Sequence, residues 1–133
     1  MAFKVYTIDG SDKSQSYKYL PASAITPKVG MLLYFSSGKL ALCSGTTKPQ
    51  YVCQVEKSAA LTAGDLIPVL PITPDLVFET VFSADGTSVN PGSSVTIASD
   101  GLRVTATTNS GVAFIEEKPE PGAAGDRVRV RFK

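Results

Sequence analysis

Apolar residues along this chain recur in short alternating runs, each ended by a turn rich in glycine, proline or serine. Period-two alternation bounded by turn residues predicts β-strands. Residues 2–8 alternate loosely, with Phe3, Val5 and Thr7 on one side and Lys4, Tyr6 and Ile8 on the other, and predict one short strand. Residues 9–16 are polar throughout and offer nothing to a core. Residues 17–21 run extended into Pro21, because the residue before a proline is pushed out of the helical region. An apolar run over 31–35 stops at Ser36, Ser37 and Gly38, residues 39–43 alternate, and 51–55 make the next strand. Residues 56–63 predict one short helical turn. Gly64 and Asp65 turn the chain into 66–70, where Pro68, with Pro71 just beyond, predicts an edge strand or a bulge. Residues 75–82 predict another strand. Turns at Asp85-Gly86 and Asn90-Pro91-Gly92 lead into alternation at Val95 and Ile97, then strands over 102–106 and 111–115. The strand predicted over 127–132 alternates cleanly, with Arg127, Arg129 and Arg131 on one face.

The two halves align with each other. Gly30 matches Gly92 at an offset of 62, Gly38 matches Gly101 at 63, and Gly64-Asp65 matches Gly125-Asp126 at 61. Between these markers both halves run strand, glycine turn, strand, polar loop, strand, loop, Gly-Asp turn, strand. The pattern predicts a duplicated β-unit, about 28–82 and 83–133, packed into one compact barrel or sandwich without a flexible linker. The competing explanation is that β-rich chains space their glycine turns regularly in any case. The predicted class is all-β: a compact, barrel-like domain over 28–133, preceded by an extended N-terminal arm over 1–27.

Composition narrows the chemistry. At 133 residues the chain suits one domain with a real core. Thirteen basic and twelve acidic residues leave a net charge of +1, so no basic field is expected for nucleic acid or a membrane surface. The absence of histidine removes Ser-His-Asp and Cys-His catalysis and the common zinc sites, since two cysteines cannot fill one alone. No apolar run approaches the ~18–20 residues of a membrane span. Residues 1–6 lack the apolar core of a signal peptide, so synthesis in a cytoplasm is expected. No catalytic residue, metal or cofactor is expected.

Single motifs give little. Ser36 and Lys39 have the Ser-x-x-Lys spacing of some acylating enzymes, but they sit on a turn rather than at the start of a helix. Gly45-Thr46-Thr47-Lys48 lacks the upstream glycine of a phosphate loop. Glu116, Glu117, Lys118 and Glu120 read as a solvated, proline-rich loop. Cys43 and Cys53 flank a loop symmetrically and read as buried thiols, with a cross-hairpin disulfide as the alternative. The arginine face reads either as solvated or as pairing with carboxylates of a partner subunit.

The N-terminal segment says more. Phe3, Tyr6, Tyr17 and Tyr19 are four of the chain's eleven aromatics. Aromatics on a polar arm are typical of groups that bury on a partner. Phe3, Val5, Tyr6, Ile8, Tyr17, Tyr19 and Leu20 are therefore the expected partner contacts. The alternative is a first strand paired within its own domain. On the arm reading, deletion of residues 2–20 leaves a folded domain.

The order of these motifs resembles a known family. Ala24-Ile25-Thr26-Pro27, then Gly38-Lys39-Leu40-Ala41-Leu42, then Gly45-Thr46-Thr47 are similar to the head decoration proteins of lambda-like tailed phages. Asp100-Gly101, Gly111-Val112 and Gly125-Asp126 with Val128 and Val130 resemble related capsid cement proteins. The resemblance covers about residues 24–132. It implies a tulip-like β-fold, a homotrimer, and a place on the outer surface of the virion capsid. It also implies the major capsid protein as partner, an arm at residues 1–21 that orders on the shell, and no contact with nucleic acid or membrane. Rival readings are a tail or head-fibre module and a carbohydrate-binding β-sandwich.

Overall fold

The structure, a computed structural model, describes residues 2–8 and 17–132, with the backbone alone at Thr7 and Ile8. The polar stretch over 9–16 lies outside the described residues. The described residues form ten strands: β1 (Lys4–Ile8), β2 (Lys18–Pro21), β3 (Leu32–Ser36), β4 (Lys39–Leu42), β5 (Tyr51–Cys53), β6 (Leu66–Pro71), β7 (Leu76–Val81), β8 (Ser94–Val95), β9 (Ala113–Glu117) and β10 (Arg127–Phe132). They make two antiparallel sheets of five. The first runs β2-β6-β5-β3-β4 and the second β1-β7-β10-β9-β8. The protein is all-β, as expected, and of the two forms expected from the sequence, barrel or sandwich, neither sheet closes into the barrel. In each, a single parallel bridge brings the far end of the sheet back towards its start, Ala22 to Leu40 and Phe82 to Val104.

The sheets repeat one another pair by pair. Leu32–Val52 and Leu33–Tyr51 in the first recur as Ser94–Phe114 and Val95–Ala113 in the second. Tyr51–Pro71, Val52–Leu70 and Cys53–Val69 recur as Ala113–Phe132, Phe114–Arg131 and Ile115–Val130. Leu20–Ile67 and Pro21–Leu66 recur as Thr80–Val128 and Val81–Arg127. The turns match as well. Ala22 N–H donates to Asp65 O and Phe82 N–H to Asp126 O, at 2.9 and 3.0 Å. Asp65 Oδ2 accepts from Thr62 N–H and Asp126 Oδ2 from Ala123 N–H, both at 3.0 Å. Gly64 and Gly125, which precede these aspartates, hold φ of +97° and +91°, a region glycine enters without steric cost. The structural repeat therefore runs from β2 to β6 and from β7 to β10. Its boundaries are earlier than 28 and 83, because β2 and β7 open the units.

Other expectations change. No helical turn forms over 56–63. Pro68 and Pro71 lie on an interior strand, flanked by β2 and β5, rather than at an edge. Pro68 O accepts from Gln54 N–H, so its own nitrogen faces a point where β5 has already ended at Cys53. The ring thus removes no ladder bond. The strand expected over 102–106 is a bridge at Val104.

Burial follows the alternation. One face of the first sheet, including Leu33, Leu40, Cys53, Ile67 and Val69, packs into a core within its own curl. The other face, through Leu32, Val52 and Leu70, meets Phe78, Val95, Ile115, Val128, Val130 and Phe132 of the second sheet in the larger core.

The N-terminal segment belongs to the domain. β1 pairs antiparallel with β7, from Lys4–Glu79 to Ile8–Leu76. Phe3 is 2% exposed, with ring centroids 5.6 Å from Phe132 and 6.5 Å from Phe78. The arm expected over 1–27 is replaced here by the outermost strand of each sheet. Deleting residues 2–20 would remove β1, most of β2 and the Phe3 ring from the larger core, so a folded remainder is no longer the expected outcome.

Candidate partner-binding surface

Residues paired directly across an antiparallel ladder share a face. Lys18–Val69 and Leu20–Ile67 look towards the smaller core, where Val69 and Ile67 are buried. Tyr19–Pro68 and Pro21–Leu66 therefore look outward. Tyr19 is 66% exposed, Leu66 65% and Tyr17, just before β2, 59%. Tyr19 on the outer strand β2, Leu66 on its neighbour β6 and Tyr17 just before β2 form an exposed apolar patch at this side of the first sheet. Large apolar groups gathered at one exposed spot mark a contact surface better than any one of them does.

The equivalent face of the second sheet is ionic. Where the first sheet has Tyr19, Pro68 and Leu66, the second has Glu79, Arg129 and Arg127. Glu79 is 7% exposed and accepts from Arg129 Nε at 3.1 Å, with Lys4 Nζ at 3.5 Å. Arg129 also reaches Glu117 at 2.8 Å and lies 4.0 Å over the Tyr6 ring. Burial pushes the Glu79 carboxyl up, but Arg129 and Lys4 outweigh it and hold the group below its ordinary value. Arg131 Nε pairs with Glu116 at 2.5 Å and Arg127 Nε with Glu120 at 2.8 Å.

Each arginine of β10 thus has a carboxylate within its own chain. Glu116 and Glu117 belong to β9 rather than to a loop. Lys118 Nζ donates to the carbonyls of Val89 and Gly86 at 2.8 and 3.0 Å.

The expected contact residues separate into groups. Phe3 is core, Val5 is half-buried against the larger core, and Leu20 is half-buried against the smaller one. Tyr6 is 40% exposed but lies under Arg129. The Ile8 side chain lies outside the described residues. Tyr17 and Tyr19 remain on the surface and stand together. Leu66 stands outside the expected set, although the sequence holds its signal: an offset of 61 places it on Arg127, on the charged face of the last strand.

Two further features complete the surface. An open groove of about 550 Å³ is lined by Tyr34, Lys48, Pro49, Gln50, Tyr51, Pro71 and Ile72. Gln50 Oε1 in it accepts from Phe35 N–H at 2.7 Å. Cys43 and Cys53 are free thiols, one in each core, donating to Thr47 O and Val55 O at 3.1 and 3.2 Å. Burial pushes the Cys43 thiol up to about 12. Among the described residues no group of three or more Cys, Asp or Glu converges as a metal site. No family model matches the chain, and no curated protein matches its sequence.

Proposed function

We propose that this protein is a capsid decoration protein, a cement that binds the outer surface of an assembled phage head and ties neighbouring major capsid subunits together. The observation that carries the reading is the exposed apolar patch of Tyr17, Tyr19 and Leu66 beside the outer strand of the first sheet. It coincides with two of the tyrosines that the sequence marks as partner contacts. The duplicated, doubly cored fold supplies a rigid carrier for it. The resemblance of the motif order to lambda-like decoration proteins supports the shell as partner and a homotrimer as the assembled form. Three patches on one trimer would bind with avidity, because the second and third contacts are effectively intramolecular. Binding only to the assembled shell stabilises it by mass action.

The test uses expanded shells of a lambda-like major capsid protein, sedimented with wild-type protein and with a Tyr17→Ser, Tyr19→Ser double variant. Wild type is expected to pellet with the shells and the double variant to stay in solution. Equal binding by a folded double variant refutes the reading. Light scattering gives the assembly state, with three times the 14.0 kDa chain mass expected. The Tyr34 and Tyr51 groove favours one second reading, a sugar-binding module, since tyrosine faces stack on pyranose rings. Glycan-array binding by the protein, lost on Tyr34→Ala, would select it.

A further inference from the structure

Among the described residues, the internal repeat leaves one position filled in the second sheet and open in the first. In the second sheet, β7 opens the repeat unit and β1 pairs along its outer side. β2 opens the equivalent unit, and apart from the bridge between Ala22 and Leu40 of β4, just past its end, no described strand pairs along its outer side. The equivalence holds at the level of single backbone groups. Ala22 N–H and O bond to Asp65 and Gly64, so by alternation Leu20 and Lys18 also turn their backbone groups towards β6. Tyr17 and Tyr19 then turn theirs outward. Phe82 bonds in the same way to Asp126 and Gly125, so Val77 and Glu79 turn outward, and these two sit opposite Thr7 and Lys4 of β1. Pro21 is the next outward residue on β2, and its missing N–H therefore takes nothing from the sheet.

We infer that β2 accepts an antiparallel extended segment of a partner protein along its outer edge, in the way that β7 accepts β1. The chemistry of the two edges defines the segment. On β7, Lys4 stands beside the Glu79 carboxylate and Tyr6 beneath the Arg129 guanidinium, so the incoming strand matches an ionic face. On β2 the corresponding face is Tyr19 and Pro68, with Leu66 adjacent, so the residues that lie over it are apolar. The opposite face of β2 carries the exposed ammonium of Lys18, where β7 carries the buried ring of Phe78. The residue opposite Lys18 is therefore acidic. The segment reads as one acidic residue between two apolar ones. Such strand addition takes its affinity from main-chain hydrogen bonds and its specificity from alternate side chains. The inference rests on this surface being a partner contact, as in the proposed function, but not on the partner being a shell.

The test is selection of random seven-residue segments, displayed on filamentous phage, against the immobilised protein. Enrichment of an acidic residue flanked by apolar ones is expected. A synthetic copy of a selected segment should slow amide exchange at Tyr17 and Tyr19 but leave Lys18 and Leu20 unchanged. Tyr19→Pro removes an outward N–H and keeps the bonds to β6. It should weaken the segment about tenfold, roughly the loss of one net hydrogen bond, while Tyr19→Ala, which keeps the N–H, weakens it less. Lys18→Glu should replace the acidic preference by a basic one, and this decides the matter if Tyr19→Pro fails to fold. No enrichment, or capture indifferent to both variants, overturns the inference. A dimer in light scattering that Tyr19→Pro dissolves also overturns it, in favour of a second copy at this edge. Shell binding without segment capture removes the edge and leaves the capsid reading standing; segment capture without shell binding does the reverse.

Discussion

Replacing Phe3 by alanine separates a core strand from a mobile arm. The ring is buried to 2% exposure and packs against Phe78 and Phe132. Truncating a buried phenylalanine costs about 3–5 kcal/mol, which covers the lost transfer energy and the cavity left behind. The unfolding entropy of a 133-residue domain is roughly 0.28 kcal/mol/K near 60 °C, so Tm should fall by about 10–18 °C. A side chain on an unpacked arm would change stability by no more than about 0.5 kcal/mol, or about 2 °C. Calorimetry of wild type and Phe3→Ala, with urea unfolding to check that the slope is unchanged, distinguishes the two. A drop below about 2 °C would refute the placement of β1 against β7.

Further expectations follow from the same geometry. Glu79→Gln should lower stability by about 1–3 kcal/mol at neutral pH, since it leaves Arg129 and Lys4 short of a buried acceptor. The depressed Glu79 carboxyl gives stability that is present above about pH 4.5 and lost as pH falls through its folded value. Thermal melts between pH 6 and pH 3 should therefore show a shallower acid loss in the glutamine variant. Gly38→Ala and Gly101→Ala probe equivalent turns of the repeat. Both positions have positive φ, but a methyl group at Gly38 meets open space, whereas at Gly101 it meets Leu42 Cδ1 at 2.4 Å and Cys43 O at 3.0 Å. Urea titration should show about 1 kcal/mol lost at Gly38 and clearly more at Gly101. Cys43 and Cys53 should resist a thiol reagent in the native protein at pH 8 and react fully in denaturant.

How far the sequence could be read depended on whether the deciding interaction was local. Gly64-Asp65 and Gly125-Asp126 announce the duplication, because each aspartate caps its own turn within three residues. The aromatics of the first twenty residues announce burial but not the surface that receives them. Phe3 meets Phe78 and Phe132, which lie far along the chain, and nothing near Phe3 points to them. The β10 arginines show the same limit. Their alternation is plain, yet their partners Glu79, Glu116 and Glu117 arrive only when three strands align. Tyr17 and Tyr19 carry the marks of contact residues in the sequence and are exposed in the structure. Leu66 needed the repeat to be carried down to single positions.

The strand that completes the second sheet lies far ahead of the rest of that sheet in the chain. On a ribosome, residues 4–8 emerge before any of β7, and the sheet they join is finished only when β10 follows. The sheet spanning residues 18–71 is complete much earlier and can fold while the chain is still growing. At roughly 5–20 residues per second, β1 waits several seconds with Phe3 uncovered. During that interval the nascent chain offers both a loose strand and the edge of β2 at Tyr17 and Tyr19, which no described strand covers. A vacant edge beside a waiting strand is the arrangement from which a misplaced pairing grows. The one charge carried by β1 opposes that error: Lys4 has its carboxylate on β7, and β2 offers it only Tyr19 in the corresponding place.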